Sequence, residues 1–461
     1  MLFNSLEFLI FLPIIFVIYW SFFSKNIKKQ NLFLLISSYV FYGWWDYRFL
    51  VLIISSTVFD YFTGIYLYNA KNKRNYYVTA SVLFNLSILG FFKYYNFFID
   101  SLYESLILLG FENVNLNTLE IILPVGISFY TFQTMSYTFD IYYKKIVATR
   151  DFIGFATFVA FFPQLVAGPI EKANKLLPQI LSKRYFSYSN AKFGIFLIVI
   201  GFCKKVLIAD NLAIIVDEFY SDPLNNSINT TYALIAMFFY SLQIYCDFSG
   251  YSDIAIGISK LFGIKLSDNF KRPYFSLNPV EFWRRWHISL STWFRDYLFI
   301  PLGGSRISKI ITIKNVFLVF IISGLWHGAN WTFVFWGFGH FIIYMIYDFN
   351  KNILKINFHK SISLFLTFIA VSILWIPFRS SSIEESFYVI KNILNLNFLS
   401  IPFGLFSLVK MLMLILILLF IDIMIEKNIK IVYNKFFISI IICLIILFGN
   451  FFSNNFIYFQ F

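Results

Sequence analysis

Apolar runs of about twenty residues recur along this chain, parted by short breaks that carry much of the charge, and this pattern limits the fold more than any other feature. Lipid leaves no partner for an unpaired backbone group, so runs of this kind fold as membrane-crossing helices. Composition agrees: 59% of the 461 residues are hydrophobic, 13% are charged, and the mean hydropathy is +0.72. We therefore expect an all-α polytopic integral membrane protein without a soluble domain. The net charge of +13 collects in the breaks, where Lys and Arg set orientation and meet membrane lipids, and it implies no nucleic-acid partner. Cys203, Cys246 and Cys443 lie far apart in apolar surroundings with no C-x-x-C pair. They read as buried thiols rather than as a disulfide or metal framework.

The order of charges predicts a topology. Residues 6–23 precede Lys25, Lys28 and Lys29, which places the amino terminus outside. Runs at 31–45 and 49–68 end at inner Lys71, Lys73 and Arg74, and a run at 77–98 leads to an outer acidic loop with Asp100, Glu104, Glu112 and Glu120. A fifth, 121–143, returns inside at Lys144, Lys145 and Arg150. Pro163, Gly168 and Pro169 then break the helix, either as a re-entrant element or as an interfacial loop. The crossing at 193–216 holds Lys204 and Lys205 in its middle, which points to a cavity or to lipid phosphates. After a run at 231–246 the chain gathers Asp, Lys and Arg over 247–309 on the inner side, in pieces that lie in the interface or re-enter. Further runs end at Ser323, Tyr347, 377, 425 and 452. The sum is about twelve crossings plus re-entrant pieces, with both termini outside. One transmembrane domain is expected over 1–461: N-terminal helices 1–150, a catalytic core 151–345, and C-terminal helices 346–461 with an external tail.

Between Glu281 and His340 the chain places charge and histidine inside a sequence otherwise fit for lipid. Such groups face a water-filled or protein-lined interior, because each costs roughly 2.5–3.5 kcal/mol at the bilayer centre. His327 is the candidate general base, with His287 in the same block. Gly324 and Gly328 suggest room for a substrate to approach the backbone. Arg284, Arg285 and Arg295 suit a phosphorylated ligand, since a guanidinium binds phosphate through two parallel hydrogen bonds. Lys271 and Arg272 read instead as inner-side anchors. No phosphate loop, dinucleotide-binding glycine motif, G-x-S-x-G or metal-spaced His/Cys cluster occurs.

These residues resemble the membrane-bound O-acyltransferase family, in its bacterial branch that O-acetylates alginate and peptidoglycan. The resemblance rests on Asp247-Phe248-Ser249-Gly250-Tyr251-Ser252-Asp253, Trp283-Arg284-Arg285-Trp286-His287 and Gly324-Leu325-Trp326-His327-Gly328-Ala329-Asn330. It extends to Pro124-Val125-Gly126-Ile127-Ser128-Phe129-Tyr130, Ala167-Gly168-Pro169 and the final Tyr458-Phe459-Gln460-Phe461. It implies an O-acetyltransferase of the bacterial cytoplasmic membrane with a funnel-like centre. The enzyme would take acetyl from cytoplasmic acetyl-CoA, with no bound cofactor or metal, and pass it to an extracytoplasmic acetyltransferase partner for a polysaccharide, peptidoglycan first. His327 would be catalytic and His287 the second active-site histidine. Trp283, Trp286, Asp296, Trp326 and Asn330 would line the cavity, and Tyr458 would relay the acyl group. Competing readings are alginate or another exopolysaccharide as acceptor, D-alanyl transfer to teichoic acid, a transporter, and a scaffold for an envelope complex.

Overall fold

The computed structural model describes residues 1–111, 116–400, 403–426, 435–451 and 457. Among them every regular element is helical. Seven helices are long and apolar enough to cross a membrane: Leu6–Phe23, Tyr47–Asn69, Arg74–Leu108, Lys309–His327, Trp331–Leu354, Lys360–Arg379 and Phe406–Ile425. Lys435–Phe448 is a shorter apolar helix. The protein is a multi-pass membrane protein. It divides into two compact units.

In the unit formed by Met1–Ala191 and Ile258–Ser267, caps sit at the charge breaks. Ser5 Oγ accepts the Phe8 amide to open Leu6–Phe23, and Asn26 Oδ1 accepts the Lys29 amide to open Ile27–Gly43. The helices Leu50–Asn69, Arg74–Leu89 and Ile127–Tyr142 meet at a buried polar cluster. Ser81 Oγ donates to Asp60 Oδ1 at 2.5 Å, Asn85 Nδ2 to Asp60 Oδ2 at 2.7 Å, and Ser56 Oγ to Asn85 Oδ1 at 2.7 Å. Where lipid and side chain are equally apolar, bonds of this kind select the helix neighbour. The helix expected from about 121 begins at Ile127, after the turn at Pro124 and left-handed Gly126.

The Pro163–Lys172 break is packed in protein, with residues 161–173 all buried. Its freed amides find side-chain acceptors: Phe162 N donates to Ser38 Oγ at 3.2 Å, Ala173 N to Ser136 Oγ at 3.0 Å, and Asn174 N to Asp140 Oδ2 at 3.0 Å. A broken backbone packed away from water needs such partners.

The unit formed by Lys192–Gly257 and Asp268–Phe461 corrects two expectations. Thr230–Leu261 is one unbroken helix, so the chain neither breaks nor re-enters at Asp247–Asp253. The reason is charge compensation. Tyr188–Phe202 continues through a π-helical turn, Cys203–Ala209, into Asp210–Ser221, and it meets Thr230–Leu261 at Gly201 and Gly250, where a Cβ on Gly201 would lie 2.6 Å from the Gly250 oxygen. That approach brings Lys204 Nζ to 2.8 Å from Asp253 Oδ2, and Lys205 Nζ to 2.8 Å from Asp210 Oδ1 and 2.6 Å from Asp247 Oδ1. The lysines thus meet carboxylates rather than an open cavity or lipid phosphates. Asp247 Oδ2 also accepts the Ile457 amide at 2.9 Å. The next residue, Tyr458, lies outside the described residues.

Candidate active site

His327 ends the helix Lys309–His327, and Asn330 starts the next. Asn330 Oδ1 accepts the Thr332 amide at 3.0 Å and its Nδ2 donates to the Ser381 carbonyl at 3.1 Å, so Asn330 caps Trp331–Phe349. The two helices pack backbone to backbone. A Cβ on Gly337 would lie 2.4 Å from the Phe320 oxygen, and one on Gly324 2.2 Å from the Phe333 oxygen. A Cβ on Gly328 would strike the Phe333 ring. The room at Gly324 and Gly328 is therefore filled by the helix pair and is not left for a substrate. The same approach sets the Trp336 ring 5.1 Å from that of His327.

His287 arrives on a different geometry. It joins the short helices Pro279–Arg285 and Ile288–Phe294 with φ 40° and ψ 55°, a left-handed conformation that non-glycine residues adopt at a cost. Asn269 fastens this corner. Its carbonyl accepts the Ile288 amide at 2.9 Å, its Oδ1 accepts the Ser289 amide at 3.2 Å and the Ser289 hydroxyl at 2.8 Å, and the same Oδ1 lies 3.1 Å from His287 Nδ1. His287 is wholly buried and lies outside the seven candidate crossings, and burial lowers its imidazole to about 3, which keeps the ring neutral.

The two histidine rings come within 6.3 Å of each other, centre to centre. Trp326 packs on both, 5.8 Å from His287 and 5.0 Å from His327. The next residue after His287, Ile288, lines a cavity of about 570 Å³ whose walls also include Trp283, Arg284, Arg295, Ser323 and Tyr344, while neither histidine is among its lining residues. Asp296 Oδ1 accepts from Arg295 Nε at 2.7 Å. Arg285 is not part of this wall: its Nη2 meets Glu281 Oε1 at 2.6 Å. Trp286 is buried against Phe282, Phe270 and Trp375. Among the described residues no group of three His, Cys, Asp or Glu is arranged to hold a metal ion.

Two residues of this centre were given no role by the sequence. Asn269 belongs to no motif and is distant in sequence from the histidine it holds. His340 is buried edge-on against Trp336 at 4.7 Å and Trp283 at 4.9 Å, linking the ring beside His327 to the cavity wall. Its only hint is being one of four histidines in an apolar chain.

The profile of the membrane-bound O-acyltransferase family matches residues 142–375. The chain belongs to this family. Among its relatives in the membrane-bound O-acyltransferase family is a "Probable alginate O-acetylase AlgI" of Pseudomonas syringae pv. tomato, 42% identical over 83% of this chain and 73% of that protein. A "Peptidoglycan O-acetyltransferase" of Helicobacter pylori is 36% identical over 87% of this chain and 81% of its own length. A "Teichoic acid D-alanyltransferase" of Bacillus subtilis is 32% identical over 42% of this chain and 50% of that protein. The membrane-bound O-acyltransferase described here is an enzyme, an acyltransferase, and the profile match contains both His287 and His327.

Proposed function

We propose that this protein takes acetyl from cytoplasmic acetyl-CoA and passes it across the bacterial cytoplasmic membrane to an extracytoplasmic partner that O-acetylates a cell-envelope polysaccharide. The observation that carries the reading is the buried pair His287 and His327, 6.3 Å apart, with Ile288, the residue after His287, lining a cavity bordered by Arg284 and Arg295. His327 removes the proton of the attacking hydroxyl, whose oxygen bonds to the acetyl carbonyl carbon. The carbon–sulfur bond breaks, and the CoA thiolate leaves and takes the proton from His327. The end of a helix favours the positive charge His327 carries between these steps. Arg284 and Arg295 hold the phosphates of the donor.

Peptidoglycan is the acceptor we favour, because the match to the peptidoglycan relative covers more of both chains than the match to the P. syringae alginate relative. In this reading about twelve crossings surround a funnel-like centre in one domain, both termini face outward, and Tyr458 receives the acetyl group as a relay.

Purified protein in liposomes with labelled acetyl-CoA tests this, with wild type, His327→Ala and Tyr458→Phe compared for label kept on the protein and CoA released. Loss of the general base is expected to slow CoA release by roughly 10² to 10⁴. Label on the wild type that vanishes in both variants supports the relay, and turnover persisting in Tyr458→Phe removes it. No turnover in the wild type, with the partner protein present, rejects the acetyl-CoA reading in favour of a transporter or scaffold.

A further inference from the structure

Asn269 is 1% exposed, and its side-chain amide has one self-consistent orientation. A backbone amide can only donate, so the atom facing Ser289 N at 3.2 Å is the oxygen. The other end, Nδ2, then donates to Ser252 Oγ at 3.1 Å. His287 Nδ1 meets that same oxygen at 3.1 Å, and two acceptors cannot bond, so Nδ1 carries the ring proton. The lone pair of a neutral ring is left at Nε2. Ser289 Oγ also lies 3.5 Å from Nδ1, but its one proton goes to Asn269 Oδ1 at 2.8 Å, the shorter contact, so the hydroxyl is not the donor that would leave Nδ1 bare.

We propose that Asn269 is a positioning residue that fixes His287 as its Nδ1–H tautomer, so that His287 enters the acyl-transfer step as a hydrogen-bond acceptor at Nε2. This rests on His287 working beside His327. It also removes one role from His287: a ring with its proton on Nδ1 has no N–H at Nε2 to offer a developing oxyanion. What Nε2 can do is accept a hydrogen bond from the hydroxyl that attacks the acetyl group and so orient it, since the two ring centres, 6.3 Å apart, are too distant for a direct bond between the histidines. Burial supports the assignment, since a neutral ring does not gain a second proton that would turn Nε2 into a donor. A leucine at 269 would free the ring to exchange tautomers and leave the Ser289 amide without its acceptor. An aspartate would keep the oxygen and add charge next to Nδ1–H.

The full-length protein in nanodiscs, labelled with ¹⁵N-histidine, reports the tautomer directly, and His287→Gln identifies the signal. We expect the wild type to show its bound proton on Nδ1, Asn269→Leu to show both tautomers with kcat lowered at least roughly tenfold and the KM for donor little changed, and Asn269→Asp to keep the wild-type tautomer with a displaced pH profile. Because Asn269→Leu exposes an amide that must be buried, Asn269→Asp, similar in shape, serves if the leucine variant fails to fold. A wild-type proton on Nε2 overturns the proposal, as does Asn269→Leu losing the tautomer while turning over at the wild-type rate. A wild type that does not turn over acetyl-CoA defeats the proposed donor but leaves the tautomer result standing, so the two failures are distinct.

Discussion

Arg284 and Arg295 border one cavity, while Arg285 is tied to Glu281 one helical turn away. A hydrogen bond to a charged group contributes roughly 1.5–3 kcal/mol, and about 1.4 kcal/mol is tenfold in affinity. Arg284→Ala and Arg295→Ala are each expected to raise the KM for acetyl-CoA about tenfold with kcat nearly unchanged, in steady-state assays of CoA release. Arg285→Ala is expected to give a smaller change, since Arg285 does not line the cavity and its half-buried partner Glu281 lies four residues away on the same helix, a spacing at which a pair contributes only about 0.3–0.5 kcal/mol. If all three variants behave alike, the cavity is not where the phosphates sit. At this scale the sequence was readable where chemistry and spacing coincide. His327 stood out by its glycines and tryptophan, whereas Arg285, expected at the donor phosphates with Arg284 and Arg295, pairs with Glu281. Asn269 was not readable, because a buried amide acquires meaning only when folding sets it against a histidine far along the chain.

Helix pairing turns on how close two backbones come. Gly337 and Gly339 lie on the same helix, Trp331–Phe349, yet they meet different neighbours: a Cβ on Gly337 would press on the Phe320 carbonyl at 2.4 Å, and one on Gly339 on the Leu374 Cδ2 methyl, also at 2.4 Å. A carbonyl within a helix cannot move away and a leucine methyl can rotate. Gly337→Ala is therefore expected to destabilise by about 1–3 kcal/mol and to lower activity by shifting Trp336 off His327, while Gly339→Ala is nearly neutral. Thermal unfolding of the two purified variants separates them, and equal Tm values would contradict the packing described. Element boundaries followed the sequence where a cap or a charge break marked them, as at Leu6–Phe23. They departed at Thr230–Leu261, where Asp247 and Asp253 look like a break until Lys204 and Lys205, a different helix, are set beside them.

Across the whole molecule the lipid-fitted composition made the helical, multi-pass character plain from hydropathy alone. What stayed hidden was which charges are shared, because partners such as Lys204 and Asp253 are joined only by tertiary approach. That pairing has a consequence for biogenesis. Ribosomes deliver the lysine-bearing segment first, and Lys204 has its carboxylate only once Asp253 has been made. Lys205 is better placed, with Asp210 on its own helix. A lysine alone at the bilayer centre costs roughly 2.5–3.5 kcal/mol, so the first segment is poorly suited to enter lipid by itself. A chain ending at Ser221 is expected to be extracted from membranes by alkaline carbonate more readily than one ending at Leu261, and Lys204→Leu should abolish the difference; equal extraction of the two wild-type lengths would refute it. In the twelve-crossing reading we propose, the two charged helices are partners at the moment of insertion as well as in the finished enzyme, and the machinery that threads this protein into the membrane holds the first until the second arrives.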